Sequence, residues 1–87
     1  MRREPEFLDD CDAVLIYIAR RLGEALRLEE LLTTAGVDYV VEVDHYVGGF
    51  LFRRARAGAF FYVRPDAAPV ARELMVRNGW RPFEAPG

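Results

Sequence analysis

The chain of 87 residues contains no serine, no glutamine and no lysine, and only one histidine and one cysteine. Each absence removes a chemistry. Without serine and lysine there is no serine nucleophile, no Schiff-base lysine and no phosphate-binding loop ending in Lys-Ser/Thr. One His and one Cys fall short of the roughly three or four ligands that His- and Cys-based zinc sites and iron–sulfur clusters need, so neither a metal nor a cofactor is expected. Cys11 has no partner for an internal disulfide, in keeping with a reducing compartment. Long apolar runs are missing as well. The opening MRREPEFLDDCDA is mostly polar and does not read as a signal peptide, and VLIYI is far too short to span a bilayer. The expectation is a cytoplasmic protein that does not enter a membrane.

What is present describes one folded unit. Half of the residues are apolar, and 12 arginines nearly balance 14 acidic residues, which suits a globular domain and gives no overall attraction to nucleic acid. A domain of this size buries only about 60% of the surface of its unfolded chain, so a partner that covers more would add stability. Residues 1–12 read as a polar extension and 13–84 as a single domain. Asp9, Asp10 and Asp12 flank Cys11, but neighbouring side chains of an extended segment diverge and no Gly-containing ligand loop follows, so they read as solvated or structural.

Two units with the same grammar follow. Val14 to Ala19 is a short apolar run with strand character. Leu22, Ala25, Leu28, Leu32 and Ala35 recur at helical spacing, with Gly36 at the left-handed C′ position and Val37 packing back on the last turn. Val37 to Val43 then alternates as a half-buried strand, with Val37, Tyr39, Val41 and Val43 on one face. In the second unit Ala59 to Val63 reads as a strand, Asp66 as a helix N-cap and Pro69 as a first-turn residue. Ala67, Val70, Ala71 and Leu74, with Met75 or Asn78, form the inward stripe, Gly79 closes the helix, and Trp80 to Phe83 supplies a last strand. The order β-α-β-β-α-β predicts an α+β, ferredoxin-like fold: an antiparallel sheet with both helices on one face.

The segments LEELLTTAGVDYVVEVDHYVGG and FYVRPDAAPVARELM carry a resemblance. A helix ending in Ala-Gly plus an aliphatic residue leads through an acidic, His-containing segment to glycines, and a strand ends in Arg-Pro-Asp before an Ala-rich helix. Over roughly residues 13–79 the chain resembles the small bacterial domain described as a prokaryotic signal-transducing protein, also termed PII-like. The resemblance implies a regulatory role and transfers no catalytic motif. The chain departs from it in a longer, Arg-rich connection between the second and third strands.

That connection holds the candidate contact residues. Gly48-Gly49 signals a two-residue hairpin, yet its register would set Val43 against Arg54 and Val41 against Arg56, so an irregular segment over about Phe50 to Ala57 is expected instead, with a second bend at Gly58. His45, Tyr46, Phe50, Phe52, Arg53, Arg54 and Arg56 are the expected contacts for a small ligand or a protein partner. Asp44 and His45 point to opposite faces of a strand and form no acid–base pair.

Three functions compete. A non-catalytic regulatory or interaction module is favoured. A single-stranded RNA-binding domain shares the fold order, and Tyr17 and Phe60 fit its stacking positions, but Gly58 and Val63 stand where aromatics belong and the chain is acidic, so nucleic acid is not expected as a partner. A cofactor-independent enzyme would need His45, Tyr46, Arg54 or Asp44. Finally, with helices on one face, the other should be polar at alternate positions. Leu15, Tyr17, Val40, Phe60 and Tyr62 make it apolar instead, which predicts a homodimer, sheet to sheet or through the arm between the second and third strands, with Tyr17 near the interface.

Overall fold

The computed structural model describes residues 1–47 and 55–84, with backbone alone at 44–47 and 55–57. It is α+β, a three-stranded antiparallel sheet with two helices. Strand β1 (Val14–Ala19) runs into helix α1 (Leu22–Thr34), then β2 (Val40–Val47), β3 (Ala55–Val63) and helix α2 (Ala68–Arg77). The spatial order is β1-β3-β2, with β3 antiparallel to both neighbours. The contact residues expected at Phe50, Phe52, Arg53 and Arg54 lie outside the described residues.

Both helices end as glycine placement predicts. Gly36 and Gly79 have φ of 77° and 82°. The amides of Gly36 and Val37 bond back to the carbonyls of Thr33 and Leu32, and those of Gly79 and Trp80 to Val76 and Met75. This paired bonding satisfies carbonyls a helix end would otherwise leave bare. The N-terminal end of α2 differs from expectation. Ala67, not Asp66, occupies the cap position, and its carbonyl accepts the first helical bond, from Ala71.

One core lies between the helices and the sheet. Ala25, Leu28 and Leu32 of α1 and Ala68, Ala71 and Met75 of α2 close over Ile16, Phe61, Val63 and Tyr39. The α1 stripe is the expected one at Ala25, Leu28 and Leu32, but Leu22 is 76% exposed and Ala35 is exposed as well, and the α2 stripe is rotated so that Ala68 and Met75 point in while Val70 is 60% exposed. The Tyr39 ring stacks on Phe61 at 5.8 Å and its partly buried hydroxyl donates to Glu29 at 3.0 Å.

The sheet departs from simple alternation at one point, and that point matters below. In β1, Leu15 pairs with Tyr62 but Tyr17 pairs with Phe61, so Ile16 is an extra residue, a β-bulge. Because side chains alternate with a period of two, one extra residue exchanges the faces of all that follows. Tyr17 and Ala19 therefore lie on the helix side, and Ile18 crosses to the other, the reverse of strict alternation. Strand β3 starts at Ala55, four residues before the expected Ala59, and pairs Val43 with Ala59 and Val47 with Ala55. The tight Gly-Gly register is thus not formed. Gly58 is inside the strand and not at a bend; a Cβ there would lie 3.3 Å from Phe60 and 3.4 Å from Ile18, tighter than ordinary contact.

Trp80 to Phe83 is not a strand. It makes one sheet-like contact, the Phe83 amide donating to the Ile16 carbonyl at 2.6 Å. At the far edge, Arg2 bridges in parallel to Tyr39, and the 3-10 turn Pro5–Leu8 lies against β2. The extension is fastened further along. Arg64 donates to the Phe7 carbonyl at 2.8 Å and to the Asp10 carboxylate at 2.7 Å, and the Arg3 and Arg64 guanidiniums both approach the Phe7 ring.

Candidate functional site

Two local devices bring the two aromatic groups of the site together. The Ile16 bulge delivers Tyr17 to the helix side, and the glycine turn at Gly79 throws Trp80 back across the end of α2. The rings meet edge to face at 5.3 Å, 86° apart, an arrangement that suits the opposed charge distribution of ring edge and ring face. They form the floor of a groove of about 790 Å³ between α1 and residues 78–81. That volume is within the range of small-molecule sites.

The walls are charged in both senses. Glu24, Arg27 and Glu30 come from α1, and Arg81 from the opposite side. Burial, and then hydrogen bonding to the Glu24 carboxylate, push the Tyr17 phenol up from its ordinary value, while Arg27 pulls it slightly down. Tyr17 is therefore a protonated, neutral donor at physiological pH. Glu24 also accepts from the Arg20 backbone amide at 3.3 Å. The lining holds no His or Cys.

The expected site residues fare differently. The backbones of His45, Tyr46 and Arg56 are in the β2–β3 ladder, with His45 opposite Ala57 and Tyr46 opposite Arg56. Of the residues expected on the open face, Leu15, Tyr62 and Val40 form one row across the three strands, and Phe60 pairs with Ile18 and Glu42 in the next. None of them belongs to the core cluster. Leu15, Phe60 and Tyr62 are half-buried, and Val40 is buried. Tyr17 is the correction: it is on the opposite side of the sheet from Phe60 and Tyr62, so the three aromatics share no stacking face. Among the described residues no group of three His, Cys, Asp or Glu side chains converges on a metal-sized site, and no helix is long and apolar enough to cross a membrane.

Sequence reasoning missed Glu24, Arg27, Glu30, Trp80 and Arg81 as one set. Trp80 had a legible signal, since the residue after a C′ glycine regularly packs back on its helix. Compared with known proteins, the chain matches no family model, no curated protein and no solved structure.

Proposed function

We propose that the chain is a non-catalytic regulatory module that binds a small ligand in the Tyr17–Trp80 groove. The observation that carries the reading is the groove itself, an aromatic pair flanked by carboxylates and guanidiniums and positioned by a bulge and a helix-ending turn. Strand irregularities of this kind recur beside functional sites because they re-aim a side chain. Tyr17, held protonated by burial and by Glu24, offers the groove a neutral hydrogen-bond donor. The resemblance to PII-like signal-transducing domains supports a regulatory role. The order β1-β3-β2, with Phe83 bonded to the outer edge of β1, supports a ferredoxin-like arrangement in which 80–83 takes the fourth strand's place.

The chain's single tryptophan is in the groove, so its fluorescence reports the site without a label. A panel of small metabolites should contain a compound that changes Trp80 emission saturably, with no turnover of that compound. Submicromolar binding of short RNA with a steep salt slope would replace this reading with the nucleic-acid one. Turnover lost on His45→Ala would replace it with the enzyme. Self-association belongs to the same reading: Leu15, Ile18, Phe60 and Tyr62, on the face away from the core, are the surface proposed to meet a second copy.

A further inference from the structure

We propose that the ligand of the Tyr17–Trp80 groove is a zwitterion with a planar aromatic side group, of the free α-amino acid type; this rests on the groove being the ligand site. The charge layout carries the step. Two guanidiniums, Arg27 and Arg81, and two carboxylates, Glu24 and Glu30, line the groove, so its formal charge is zero. They are not equally available. Glu24 is engaged by Tyr17 and by the Arg20 amide. Glu30 has no hydrogen-bond or ion-pair partner among the described residues, and neither Arg27 nor Arg81 has a carboxylate there within salt-bridge distance; the ion pairs among those residues join Met1 and Arg3 to Asp38, Arg2 to Glu29, Arg64 to Asp10 and Arg77 to Glu73.

A guest that covers this groove must answer groups of both signs. A dianion would set its charge against Glu24 and Glu30, and a simple cation would face Arg27 and Arg81. A neutral apolar molecule would shield Arg27, Glu30 and Arg81 from water without offering any of them a partner. A zwitterion places its carboxylate on a guanidinium, where a planar fork offers two parallel donors, and its ammonium on Glu30. Its ring then packs on the phenol and indole of the floor, where an aromatic edge or face finds its complement. Arg27 and Glu30 are three residues apart on α1 and so neighbours on its surface, which suits the close-set charges of an α-amino acid head.

The test is titration of the full chain with L-phenylalanine and three amputated relatives: 3-phenylpropanoate, without the ammonium; phenethylamine, without the carboxylate; and N-acetylphenylalaninamide, with neither charge. Trp80 emission and calorimetry are the readouts. Phenylalanine should bind saturably and each relative should bind about tenfold more weakly or worse, the scale of one charge-assisted hydrogen bond. Glu30→Gln should weaken phenylalanine and leave 3-phenylpropanoate unchanged, and Arg27→Gln or Arg81→Gln should do the converse with phenethylamine. All three residues are exposed, so the variants should fold. 3-Phenylpropanoate or phenethylamine binding as tightly as phenylalanine overturns the proposal, and so does N-acetylphenylalaninamide binding as tightly, which points to an internal peptide residue instead. If another metabolite changes Trp80 emission and phenylalanine does not, the ligand class is wrong and the groove stands. If nothing does, both readings fall.

Discussion

Gly79 shows how much can hang on one residue. Its φ of 82° is a region where a side chain costs about 1 kcal/mol or more, and the turn it allows sets Trp80 against Tyr17. Gly79→Ala should therefore lower stability by about 1–2 kcal/mol and shift tryptophan emission. Gly23→Ala is the matched control: an added Cβ meets only Arg27 at 3.7 Å, and stability should rise or hold. Denaturant melts of the two variants separate backbone strain from a general intolerance of methyl groups. Asp10 gives the corresponding prediction for charge. Hydrogen bonds from Arg64, and then its charge, hold the Asp10 carboxyl below its ordinary value near 3.8. A carboxyl depressed by folding binds fewer protons in the folded chain, so its stabilisation is complete above that value and is lost as pH falls through the lowered one. Melting temperature followed from neutral pH into acid should fall less steeply for Asp10→Asn than for the parent below pH 3.8; parallel curves would mean the Arg64 tether is not formed in solution.

At the scale of elements, facing is the testable quantity. Phe61 is buried against Tyr39 whereas Phe60 is half-buried on the other side of the sheet. Phe61→Ala should cost about 3–5 kcal/mol and Phe60→Ala clearly less; the reverse order in urea melts would mean the register of β3 is wrong. The same strands explain what was legible. The limits of β1 and the glycine-closed ends of both helices could be read because each rests on local chemistry: an apolar run bounded by charge, and a backbone conformation that only glycine takes easily. The bulge could not. Ile16, Tyr17 and Ile18 are all apolar or aromatic, so no polar residue marks which one is extra, and the face of Tyr17 is decided by pairing with β3. The last strand was over-read for a related reason. Trp80, Pro82 and Phe83 suit an edge strand, but Pro82 has no amide to donate, and one bond to Ile16 is what forms. The start of β3 was under-read because Ala55 to Gly58 lacks the large apolar residues that announce a strand.

For the molecule as a whole, the proposed dimer now has a sharper test. With Tyr17 on the helix side, Phe60→Glu should dissociate the assembly and Tyr17→Glu should leave it intact, by sedimentation over a range of concentrations; a monomeric parent chain would end the proposal. The groove is the central claim, and the most direct test is the single indole N–H resonance of Trp80, watched together with the backbone amides as the best compound of a metabolite panel is added. The account predicts that this resonance moves to saturation and that the amides moving with it belong to residues 17, 24–34 and 78–81. Perturbation centred instead on residues 44–57, with Trp80 unmoved, would contradict it.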